Sequence, residues 1–145
     1  MSDPSLAIQN AIEATLRADS ATKALFGGTT RLYTLSAPLD AQGKAKFPHI
    51  VIGQDQVLGD DTECGSSSEV AVTVHVYACE DTPTLSRSKA KQIAGAVRAA
   101  LTTELTLEDH VMDDWIFDSI EHLTDPDGLT SHSVVRLTYL TTASA

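Results

Sequence analysis

Glu-Val-Ala-Val-Thr-Val-His-Val-Tyr-Ala-Cys, residues 69–79, leads after a short link to Thr82-Pro83 and then to Thr-Leu-Ser-Arg-Ser-Lys-Ala-Lys-Gln-Ile-Ala-Gly-Ala-Val-Arg-Ala-Ala-Leu, ending at Leu101. The first part alternates with period two. Val70, Val72, Val74 and Val76 fall on one side, and Ala71, Thr73, His75 and Tyr77 on the other. That alternation in β-branched residues is the pattern of a half-buried strand. The second part repeats with helical period. Ala90, Ile93, Ala94, Val97, Ala100 and Leu101 form one apolar stripe, with Lys89, Lys91, Gln92 and Arg98 assigned to a wet face. Thr82 is placed to cap the helix, and Pro83 fits its first position, where no amide hydrogen is needed. The stripe needs cover, and the valine side of the preceding strand is the nearest surface that can give it.

The rest of the chain agrees with a single domain over residues 1–145. A chain of this length buries roughly 68–70% of its unfolded surface and needs no metal or disulfide to fold. Ten bases against twenty acids give a net charge of −10, and the bases are dispersed along the sequence. A nucleic-acid binder needs a basic footprint to displace condensed counterions, so free nucleic-acid binding is disfavoured, as is an anionic membrane surface. Cys64 and Cys79 form no C-x-x-C pair and read as free thiols. No apolar run is long enough to span a bilayer as a helix.

Working outward, Asp3-Pro4 opens a first helix with Ile8, Ala11, Ile12, Thr15 and Leu16 as its stripe, ending near Asp19. Ser20 is the expected cap of a short second helix through Leu25, which Gly27-Gly28 stops. Short strands are expected over 31–35 and 49–55, separated by a loop over 36–47. Residues 59–68 are acidic, then glycine- and serine-rich, and form a long connection for a hairpin. Beyond Leu101, residues 102–114 read as a polar connection. Residues 115–124 read as a strand with Trp115 and Phe117 on one side and Ile116 and Ile120 on the other. Asp125-Pro126-Asp127-Gly128 is a turn, and 131–141 returns as the partner strand. This order predicts an α+β fold in two layers: a mostly antiparallel sheet with two main helices on one face. Tyr77 and His75 then lie on the helix-free face with part of the 115–120 segment and Thr138. That face is too apolar in places to be bathed in water, which invites a partner.

No motif carries catalysis, a cofactor or a metal. None of His49, His75, His110, His122 and His132 makes an i, i+4 zinc pair, although His122 and His132 are expected to approach each other across the last hairpin. The Asp125-x-Asp-Gly opening resembles a calcium loop, but Arg136 stands where the twelfth-position glutamate belongs. Asp60-Asp61-x-Glu63 has no nucleophile beside it, no G-x-S-x-G elbow occurs, and Gly27-Gly28-Thr-Thr-Arg lacks the lysine of a phosphate loop.

Taken in order, residues 4–12 (Pro-Ser-Leu-Ala-Ile-Gln-Asn-Ala-Ile), 47–53 (Phe-Pro-His-Ile-Val-Ile-Gly), 72–77 (Val-Thr-Val-His-Val-Tyr), 89–101 and 124–137 resemble the tail-completion or tail-terminator proteins of long-tailed phages and gene transfer particles. The resemblance implies a non-enzymatic virion protein, assembled in the bacterial host cytoplasm and placed at the head–tail junction. It implies a homo-hexameric ring that caps the tail tube, stops its polymerisation and meets the head connector or stopper. Its partners would be itself, the tail-tube protein and the connector, with DNA passing through unbound and no membrane involved. The resemblance departs at the long loop 36–46. Residues expected at interfaces are Asp55, Asp60, Asp61, Glu63, Tyr77, Trp115 and Phe117, with some of the acids lining or rimming the bore. The alternatives are a head-side connector or stopper, a minor tail-tube component and, more remotely, a small-ligand-binding α+β domain.

Overall fold

The computed structural model describes residues 3–59 and 66–144. Its elements in order are α1 (Pro4–Ala18), α2 (Ser20–Leu25), β1 (Leu32–Thr34), β2 (His49–Gly59), β3 (Ser67–Ala78), α3 (Pro83–Leu101), β4 (His110–Thr124) and β5 (Ser131–Ala143). The α+β architecture is as expected. Five strands form one sheet in the order β1-β2-β3-β5-β4, antiparallel throughout except for the parallel β1–β2 pair.

The starts of all three helices are fixed by side chains. Asp3 accepts from the Ser5 amide at 2.8 Å, and Thr82 Oγ1 accepts from the Leu85 amide at 3.2 Å. The second helix is capped by Asp19 rather than Ser20: its carboxylate accepts from the Thr22 amide at 2.9 Å and the Thr22 hydroxyl at 2.6 Å. A carboxylate takes both donors and favours the positive end of the helix, so it displaces the neighbouring hydroxyl from the role.

Helices α1 and α3 cover one side of the sheet, and α2 packs against both of them. Val70, Val74 and Val76 are fully buried there, against Ile93, Val97 and Leu101 of α3 and Ile8, Ile12 and Leu16 of α1. Each such side chain contributes on the order of 1.5–3 kcal/mol. Tyr139 is also fully buried, and its hydroxyl donates to the Leu101 carbonyl at 2.7 Å. It thereby satisfies a carbonyl that the end of α3 leaves without a helical partner.

The strand β4 starts earlier than the sequence suggests, at His110, because Met112 is buried in the core. Simple alternation also fails along it. The register shifts between Phe117 and Ser119, so Ile120 returns to the helix side with Trp115 and Phe117, while Ile116 faces the other way. One inserted residue swaps the faces of everything after it.

Candidate assembly surfaces

The helix-free face of the sheet carries a row of rings across four strands. Tyr33 of β1 lies 6.2 Å from His49 of β2, His49 stacks on Tyr77 of β3 at 5.0 Å, and Tyr77 stacks on His132 of β5 at 4.2 Å. The register places these residues side by side: Tyr77 pairs with His49 on one flank and with His132 on the other. Phe47 closes on His49 at 5.0 Å. Offset rings at such separations attract one another beyond the area they bury.

A third histidine joins the row. His75 Nδ1 lies 2.7 Å from His132 Nε2, so one ring donates and the other accepts. The approach depends on Gly53, because a Cβ there would stand 2.6 Å from His75 Nε2. The pKa of each of His49, His75 and His132 is held below its ordinary value, first by burial. The neighbouring charge of His132 adds to the effect on His75, whereas Asp125 and Glu121 oppose it at His132. Neutral rings are the form that can stack and share one proton. Over this row the segment after β1 makes an open groove of about 680 Å³, lined by Leu35, Leu39, Val51, His49, His75 and Tyr77. Its rim is wet, since Leu35 and Leu39 are 70% and 66% exposed.

No group of three histidine, cysteine or carboxylate side chains is placed to hold a metal among the described residues. His122 and His132 do not meet. His122 pairs with Ser133 and His132 with Leu123, so the two rings sit on opposite faces of the hairpin. His122 Nδ1 instead lies 2.6 Å from Ser133 Oγ, but Ser133 is fully buried and closed to any substrate. Asp127 is likewise occupied: it accepts from the Leu129 and Thr130 amides and the Thr130 hydroxyl, which lower its pKa, and Gly128 takes the positive φ of 72° that the turn requires.

The expected interface residues divide among three places. Tyr77 is in the centre of the ring row. Trp115 and Phe117 are half-buried on the helix side of the outermost strand β4, where the Arg98 guanidinium lies 3.7 Å from the centre of the Phe117 ring. Asp55 is exposed on β2 and, past a register shift after Ile52, also faces the helix side. Asp60, Asp61 and Glu63 lie outside the described residues. Sequence reasoning missed His49, His132 and Tyr33, because a row across strands exists only once the strand order is known.

A family profile described as "Tail completion protein gp17" matches residues 10–142. The chain superposes on a chain of the virion of a native gene transfer agent particle with a TM-score of 0.81 at 19% identity, covering 99% of this chain and 100% of that one. It superposes on the bacteriophage SPP1 gp17 protein with a TM-score of 0.53 at 21% identity, covering 93% and 88%. At these identities the two likenesses establish the fold. No curated protein sequence matches.

Proposed function

The chain belongs to the tail completion protein gp17 family, a structural family of phage-type tails, and we propose that it is the subunit of a hexameric ring that caps the tail tube. In this reading the ring ends tube polymerisation and presents its second annular face to the head connector. It acts without catalysis, as one domain over residues 1–145, at the head–tail junction of a virion assembled in the host cytoplasm.

The observation that carries the ring is the sheet itself. Its two ends are different strands, β1–β2 and β4, and neither end is covered by another strand among the described residues. Unlike ends meet head to tail, and such a contact stays finite only when the rotation per subunit closes. The helix-free face with its ring row and wet apolar groove supplies a further surface for a partner. In this reading some of the acids singled out in the sequence line or rim the bore, where carboxylates repel the phosphates of a passing genome.

The test is to add the purified protein to growing tail tubes. Elongation is expected to stop, with one end of each tube marked by bound protein in electron micrographs. Tubes that keep growing with no protein at their ends would contradict the proposal.

A further inference from the structure

The bases of this chain are unevenly placed. From Phe47 to Ser86 and again from Thr102 to Val135 there is no lysine or arginine, whereas α3 between them carries four bases and no acid. Three of those bases lie on the flank of α3 turned toward β4. Arg87 donates to the Thr124 hydroxyl at 3.1 Å, and Arg98 covers Phe117. Lys91 is close enough to His122 to add, with Arg87, to the lowering of its pKa that burial begins. The β4 end of the sheet therefore presents an open strand backbone, an aromatic floor of Trp115 and Phe117, and a basic wall above it.

The other end of the sheet has the complementary features. The strand β1 stops at Thr34, and the Leu35 amide donates to the Ile52 carbonyl at 2.9 Å. Beyond that point residues 54–59 of β2 are exposed, with no strand on their outer edge among the described residues. Pairing of Asp55 with Val72 and Val57 with Val70 turns Asp55 and Val57 to the helix side, the same side as the basic wall. Directions also agree. The strands β2 and β5 both run antiparallel to β3, and β4 runs antiparallel to β5, so β2 and β4 are antiparallel to each other. Copies related by rotation about an axis along the strands would bring these edges together antiparallel, with all helices on one side.

We propose that the free edge of β2 in one copy docks on the β4 edge of a second copy, with Val57 against Trp115 and Phe117 and Asp55 against Lys91 and Arg98. This rests on the ring reading and names the contact that closes the ring. The acids of β4 do not oppose it. Asp118 accepts from the Thr138 hydroxyl at 2.6 Å, Glu121 pairs with Arg136 at 3.6 Å, Asp113 accepts from the Thr142 hydroxyl and Asp114 stands opposite Leu140, all four on the helix-free side. There β2 offers only uncharged Gln56 and Leu58. Ring closure by this contact covers both open edges at once, each of which is otherwise a template for uncontrolled strand addition.

The experiment compares the wild type, Asp55→Lys, Lys91→Glu and the double variant by native mass over a range of concentrations, in solution and released from tail-tube ends. Each single variant sets like charges together and is expected to weaken subunit association about tenfold or more, and the double variant, which restores an opposite pair, to recover most of that loss. Added salt should weaken the wild-type contact in the same direction. The melting of each dilute protein checks its fold, and Asp55→Asn replaces any variant that melts early, with a smaller effect in the same direction. Equal association in all four proteins, or singles that weaken and a double that does not recover, would overturn edge docking while leaving the ring. A wild type that forms no ring in solution or on tubes would overturn both.

Discussion

On one side of β3 the valines are sealed under α3; on the other, Thr73, His75 and Tyr77 of the same strand are only half-buried, with only the segment after β1 above them among the described residues. The covered side is made of residues that any two-layer α+β domain would use. The bare side spends aromatic rings and three histidines where a monomer could have used threonine or serine. The difference separates what holds the subunit together from what the subunit offers to others. It also sets an expectation: substitutions on the covered side should act on stability, and those on the bare side and the two edges should act on assembly.

The largest effect should come from truncation on the covered side. Ile93→Ala removes a fully buried side chain between α3 and the sheet and should cost about 2–5 kcal/mol. Thermal denaturation would then fall by roughly 2–4 °C per kcal/mol for a domain of this size. A loss below about 1 kcal/mol would mean that the helix side is not the core. Tyr139→Phe tests a polar contact inside that core. It leaves the Leu101 carbonyl buried without its donor and should cost about 1–3 kcal/mol, read from chemical denaturation midpoints.

On the bare side, Gly53→Ala should displace the His75 ring and break its contact with His132, visible as a changed imidazole resonance pair, with a smaller loss of stability than either core variant. Unchanged His75 and His132 signals would show that the approach does not need the missing Cβ. Tyr77→Ala removes the middle of the ring row and should leave the melting of the dilute protein close to wild type while reducing attachment to tail tubes.

The smallest effect is a pH dependence. Because the folded pKa of each of His49, His75 and His132 lies below its ordinary value of 6.5, the unfolded chain binds more protons than the folded one below that pH. The stability they contribute is complete above 6.5 and is lost as pH falls through the lowered values. Melting temperature should decline shallowly from about pH 7.5 to about pH 5, and less so in His75→Gln. A stability that rises on acidification over that range would contradict neutral stacked rings.

Much of the covered side is legible in the sequence because it obeys local rules. Alternation from Val70 to Val76 gives β3, and the stripe from Ala90 to Leu101 with the Thr82 cap gives α3. Legibility stops where a tertiary event intervenes. The register shift after Phe117 moves Ile120 to the other face from the one alternation assigns, and no residue type marks it. The insertion of β5 between β3 and β4 brings His132 to Tyr77 and His75, so the ring row depends on a strand order that periodicity does not encode. The basic flank of α3 is hidden for a related reason. Arg87, Lys91 and Arg98 lie close together on one helix, but the sheet edge they flank is set by how the stripe docks and not by their spacing.

The most direct test of the central claim is an averaged image of the tail-tube end with the wild-type protein bound. The account predicts a six-fold ring one subunit thick, with neighbouring sheets joined edge to edge and the helices of every copy on the same side. Isolated copies on the tube wall, or a ring whose subunits touch only through their helices, would contradict it.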